Sequence, residues 1–160
     1  MRAVALSLVA LAFAVAVRGG AGSTARRVEA GNGLSVVLPS GWRLARTRVT
    51  LCDSPEQVLL AVSGRVRLRT ALSVPPRAAL VLLMEGGVDG FPARPARFEL
   101  PKLQPIGGCC EMPVGPGAEL LFRDHGRRFY AFVYTGNRTP AGAKRDIVRL
   151  LNSLRISAQR

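Results

Sequence analysis

Three cysteines and a single histidine are the residues of this chain best suited to covalent, metal or acid–base chemistry. Cys52, Cys109 and Cys110 reach the ligand count of tetrahedral zinc only with His125, and adjacent residues rarely aim both side chains at one ion. The cysteines also lack the two-residue spacing that lowers a thiol's pKa in redox proteins. Disulfide chemistry fits better. Adjacent Cα atoms lie about 3.8 Å apart across a trans peptide, below the usual disulfide range of about 4.4–6.8 Å, so a Cys109–Cys110 bridge would be strained. Cys52 is therefore the expected partner of one of the two, and closing that long loop would contribute about 2–4 kcal/mol. Three buried free thiols are the plain structural alternative.

His125 lies within Asp124-His125-Gly126, whose Asp and Gly suit a hairpin turn. General acid–base work requires a partner within hydrogen-bond reach and a pocket, and neither is recognisable around it in the sequence, so an exposed turn histidine is expected. Nothing in the spacing of Glu111, Glu119 and Asp124 selects a carboxylate pair. Gly31-Asn32-Gly33 and Gly86-Gly87 lack the strand-to-helix setting of a phosphate loop and read as turns. No catalytic residue, metal ligand or cofactor motif is assigned.

Binding chemistry has a better foothold. Side chains alternate along a strand, so Phe129, Ala131 and Val133 oppose Tyr130, Phe132 and Tyr134, and one aromatic row is placed to face a groove. With the basic residues around it, this gives the candidate ligand-binding set Arg123, Arg127, Arg128, Tyr130 and Tyr134. The bland reading makes these rings, with Trp42, core and sheet-face aromatics. The chain carries 23 Lys plus Arg against 10 Asp plus Glu, a formal +13, which favours anionic neighbours such as phospholipid head groups or wall polymers. The charge is dispersed without a run and nearly all of it is arginine, as a solvated basic surface would also be. No groove-entering or base-stacking signature points to nucleic acid.

The elements that must hold these residues are mostly strands. Leu34–Leu38, the stretch after Trp42 and Val58–Val62 are short apolar clusters between breakers such as Pro39-Ser40-Gly41 and Ser54-Pro55. Arg65, Arg67 and Arg69 alternate with apolar residues and would share a wet face. Ala79–Met84 is apolar throughout, as in a strand covered on both sides, and is the expected centre of the sheet. The Pro- and Gly-rich stretch from Gly86 to Pro116 should be loop, with only Phe98-Glu99-Leu100 strand-like. Ala118–Arg123 and Phe129–Thr135 are expected to pair. Thr139-Pro140 then opens a helix with Thr as N-cap, in which Ile147, Leu150, Leu151 and Leu154 form one apolar stripe while Lys144, Arg145 and Arg149 face outward.

The uncharged run from Ala3 to Val17, preceded by Arg2 and followed by Arg18 and small residues, has the parts of a secretory signal and is shorter than the roughly 20 residues a membrane-spanning helix needs. Ser23-Thr24-Ala25 is the best cleavage candidate, giving a leader over residues 1–25 and a single α+β domain over 26–160. Retention as an uncleaved anchor is the alternative. Export into an oxidising compartment is what makes the disulfide reading reasonable.

The order of a leader, a strand running into "LPSGW", a late "RRFYAFVYTG" strand and a terminal helix closing with "LLNSLRIS" resembles the PsbP-like α/β sandwich family, related to photosystem II extrinsic proteins. The middle, with "FPARPARF", "GGCCEMP" and "LFRDHGRRFY", looks like secreted proteins of actinobacterial type. The resemblance implies a compartment and a fold, not an activity; nothing here matches a manganese or calcium site. The resulting expectation is an α+β domain, a mainly antiparallel β-sheet with a C-terminal α-helix packed on one face. Its expected role is that of an exported, envelope-associated accessory or binding protein for an anionic envelope component or envelope protein, touching the membrane at most peripherally. The competing class is a small extracytoplasmic enzyme or thiol-redox protein using His125 or a free cysteine.

Overall fold

A computed structural model describes residues 25–49, 55–64, 74–106 and 112–158. All but the last residue of the expected leader, the arginine alternation at 65–69, and Cys52, Cys109 and Cys110 lie outside the described residues. The elements are β1 (Arg26–Gly31), β2 (Leu34–Leu38), β3 (Trp42–Leu44), β4 (Glu56–Ser63), β5 (Ala79–Glu85), β6 (Gln104–Ile106), β7 (Gly115–Asp124), β8 (Arg127–Thr135), α1 (Ala141–Asn152) and β9 (Arg155–Ile156). They form a six-stranded sheet in the order β3-β4-β5-β8-β7-β6 and a three-stranded sheet in the order β1-β2-β9. Every strand pairing within these sheets is antiparallel. The fold is thus α+β and dominated by sheet, with the helix near the C-terminus, as expected.

Strand β5 occupies the interior of the large sheet because both of its faces are covered. Ala79, Val81 and Leu83 pack in one core with Leu59, Ala61, Phe122, Phe129, Ala131 and Val133, against Leu34 and Val36 of β2 and Ile147, Leu150 and Leu151 of α1. Leu80, Leu82 and Met84 pack in a second core on the opposite face with Leu60, Val62, Val49, Ala78, Met112 and Tyr134. Helix and small sheet therefore share one side of the large sheet, and irregular segments cover the other. Two buried faces explain the uninterrupted apolar sequence of β5, where a half-exposed strand would alternate.

Several local expectations need correction. Thr139 does not cap α1: its hydroxyl donates to the carbonyl of Ala78 (2.7 Å) and lies 2.8 Å from that of Gly136, while Pro140 occupies the cap position without a side-chain bond. The apolar stripe is buried as expected, but the helix ends at Asn152, and Leu154 leads into β9. Phe98-Glu99-Leu100 is not a strand. Instead Asn152 accepts the Phe98 N–H at 2.8 Å and donates to its carbonyl at 3.1 Å, pinning this segment beside the helix. The strand in this region is β6, which tolerates Pro105 because it lies at the sheet edge.

Arginines tie the small sheet to the helix and to the large sheet. Arg27 of β1 donates to the Ser153 carbonyl from both terminal nitrogens at 3.2 Å, placing a cation at the C-terminal end of α1, where the helix dipole favours it. Arg127 of β8 donates from Nε and Nη2 to the two oxygens of Glu85 at 2.7 and 2.6 Å, and from Nη1 to the carbonyls of Asn32 and Ser157 at 2.8 and 3.1 Å. Its guanidinium also lies over the Phe129 ring, 5.2 Å from the centroid. Gly33, at φ +69° in the β1–β2 turn, permits this closure, since a Cβ there would collide with the Ser157 side chain.

Candidate functional site

The β7–β8 hairpin turns through His125 and Gly126, with φ of 50° and 76°. Two successive residues in the left-handed region give the tight turn whose twist matches paired strands. The register sets Arg123 opposite Arg128 and Leu121 opposite Tyr130, on one face of the sheet. The Arg123 N–H donates to Pro92 at 2.7 Å and its carbonyl accepts from Arg94 at 2.9 Å, so its backbone bonds point away from β8. The two arginines thus form a non-hydrogen-bonded pair, the closer kind, with Cα atoms about 4.5 Å apart. Like charges directly opposite destabilise a sheet.

Asp89 offsets part of that repulsion through a 2.5 Å contact with Arg128 Nη1. Arg123 has no ion pair among the described residues. Next along the face, Leu121 is 40% exposed. Its neighbour Tyr130 meets Phe91 edge-on at 4.8 Å between centroids and lies parallel to Phe132 at 6.0 Å. A Cβ on Gly87 would stand 2.6 Å from the Tyr130 hydroxyl, so glycine at that position makes room for the ring. The result is two cations at the sheet end, followed by an accessible apolar and aromatic surface.

Of the five residues in the sequence-derived set, Arg123, Arg128 and Tyr130 meet on this face. Arg127 and Tyr134 do not present themselves to a ligand. Arg127 points to the other side, is 5% exposed and holds the two sheets together. Tyr134 is 1% exposed and belongs to the second core. Leu121, Phe91 and Asp89 join the site without having been singled out by sequence. In the run Leu120-Leu121-Phe122 composition alone does not say which leucine faces outward; extending the alternation from Arg123 would have shown it.

His125 Nδ1 lies 2.7 Å from Asp124 Oδ1, and the other Asp124 oxygen accepts from Arg94 Nη1 at 2.9 Å. This carboxylate orients the imidazole and anchors Arg94, which also donates to the Leu154 carbonyl and lies over the Phe98 ring. The His125 side chain is 56% exposed on its turn, and it lines neither the groove beside Trp42 nor those on either side of α1. Among the described residues no group of three or more His, Cys, Asp and Glu is placed to hold a metal ion, and no helix is long and apolar enough to cross a membrane.

Burial, and secondarily the charge of Glu119, pushes the Tyr134 hydroxyl from its ordinary 10.0 up to about 12. A raised folded-state pKa means that the unfolded chain releases this proton first, so the contribution is complete below pH 10 and is lost between pH 10 and about 12. Denaturant titrations across that window should show the parent protein losing on the order of 2 kcal/mol relative to Tyr134→Phe. Equal losses in both would contradict an interior Tyr134. In the comparisons with known proteins, no family model, curated protein or solved structure matches this chain.

Proposed function

We propose that this chain is an exported binding protein that uses the β7–β8 tip to hold an anionic component of the cell envelope. The observation that carries the reading is the cross-strand Arg123–Arg128 pair beside Leu121 and Tyr130. A sheet that opposes two like charges gives up stability there, and an anion shared between them recovers it. The neighbouring apolar surface supplies contact area that small inorganic ions would leave unused. The net positive charge adds long-range attraction toward an anionic surface.

The PsbP-like sandwich, the leader at residues 1–25 and the cross-link through Cys52 belong to the same proposal. Support for the cross-link comes from the flanks of the cysteine segments: Val49, Ile106 and Met112 all join the apolar cluster on the second face of the large sheet. Chain leaving that cluster at Val49 carries Cys52, and chain between Ile106 and Met112 carries Cys109 and Cys110. Peptide mapping after alkylation without reductant should find Cys52 joined to Cys109 or Cys110. Labelling of all three thiols would remove the bridge.

Binding is tested by co-sedimentation with phosphatidylglycerol vesicles against phosphatidylcholine vesicles. Retention should be selective for the anionic vesicles and fall steeply with salt, because screening acts over about 10 Å at 0.1 M. Replacing both Arg123 and Arg128 by Gln should weaken it about tenfold or more, at about 1 kcal/mol per basic residue near an anionic surface. Salt-independent retention, or an unchanged double variant, would contradict the reading.

A further inference from the structure

A groove apart from the tip runs between α1 and the segment pinned by Asn152. Residues 97–100 on one side and the face of α1 over residues 144–149 on the other line a space of about 500 Å³. Its two walls come from separate parts of the chain. Asn152 fixes their spacing by accepting the Phe98 N–H, donating to the Phe98 carbonyl and also lying within 2.8 Å of the Val148 carbonyl. The groove is therefore formed in the free protein and does not wait on a ligand to order it.

The chemistry of the lining is divided. Leu100 and Val148, both half-buried, supply apolar surface between the walls, while the Phe98 ring is buried in the main core. Arg97 on one wall and Lys144 and Arg145 on the other form no ion pair or hydrogen bond among the described residues. Arg149 has only a loose contact with Asp146 at 3.7 Å, and Glu99 is the one acidic residue in the lining. Arg145 and Arg149 are four apart on the helix, a like-charge spacing that costs helix stability unless an anion intervenes. Lys144 to Arg149 spans about 8 Å along the axis, short enough for one small molecule to reach all the helix cations.

We infer that this groove binds a small organic anion, a carboxylate or phosphate monoester attached to an apolar body. The acidic head lies between Arg97 and the helix cations, where guanidinium groups match the oxygens of either head, and the body rests on Leu100 and Val148. The volume falls within the range of about 300–1,000 Å³ of small-molecule sites. An inorganic anion would satisfy the cations and leave the apolar lining wet; a neutral apolar molecule would do the reverse.

Titration calorimetry at low salt with four probes tests this: 1-naphthyl phosphate, 1-naphthoate, inorganic phosphate and 1-naphthol. One or both naphthyl acids should bind with one-to-one stoichiometry at least about tenfold tighter than phosphate or naphthol, and the stronger of the two acids identifies the preferred head. Lys144→Gln with Arg145→Gln, both exposed and safe for the fold, should weaken that binding about tenfold, while the Arg123 and Arg128 variant of the tip should leave it unchanged. Phosphate binding as tightly as naphthyl phosphate, neither acid binding, or indifference to the groove variant would each overturn the inference. Because the tip variant is read separately, failure here is distinguishable from failure of vesicle binding.

Discussion

A guanidinium taken out of water loses more than its packing returns unless its N–H groups find acceptors, and Arg127 places four of its five on acceptors from three places in the chain. Glu85 at the end of β5 takes the bidentate pair, Asn32 in the β1–β2 turn and Ser157 after β9 take the remaining terminal nitrogen, and Phe129 lies under the plane. Hydrogen bonding to Glu85 raises the Arg127 pKa above its ordinary value against the opposing effect of burial, so this site keeps its charge. The small sheet reaches the large one through this side chain and through the apolar contacts of Leu34, Val36 and Ile156, while Arg27 ties it to the end of α1. Apolar packing supplies attraction without direction; the fork of Arg127 supplies the orientation.

That division sorts the arginines. Arg27, Arg94 and Arg127 have partners in the interior or at its margin and serve the fold. Arg123, Arg97 and Arg145 have no ion pair among the described residues and lie exposed. Net charge alone does not separate the two groups. Fixing Arg127 inward also sets the face of every residue after it on β8, because alternation then carries Arg128 and Tyr130 outward while Phe129 and Ala131 enter the main core.

The central strand, the β7–β8 hairpin and the helical stripe were legible in sequence because each rests on a local pattern: continuous apolarity, turn residues, and spacing of three and four. Strand β1 was not, since Arg26-Arg27-Val28-Glu29 is a polar edge whose pairing with β2 is decided by packing. Strand β9 was hidden for a different reason, as Leu154 continues the helical spacing of Ile147, Leu150 and Leu151 past the point where the helix stops. Alternation set Tyr130, Phe132 and Tyr134 on one face; carried back along β8 it also places Arg128 there and Arg127 opposite, and only the strand register adds Arg123. The burial of Arg127 could not be read this way, because its partner Glu85 is 42 residues away and no local rule connects them. The groove beside α1 has the same character: the outward helix cations were visible, but Arg97 joins them only through Asn152, 54 residues from the Phe98 it holds.

The interaction on which the architecture turns can be measured by a double-mutant cycle between Glu85→Gln and Arg127→Met, followed by urea unfolding. Each single change should cost about 3–5 kcal/mol, since it strands the opposite charge or its hydrogen bonds inside the protein. The pair together should cost less than the sum of the two, with a coupling of about 1–3 kcal/mol. Additive losses below about 1 kcal/mol each would show that the sheets are held by apolar packing alone and would contradict the role given to Arg127.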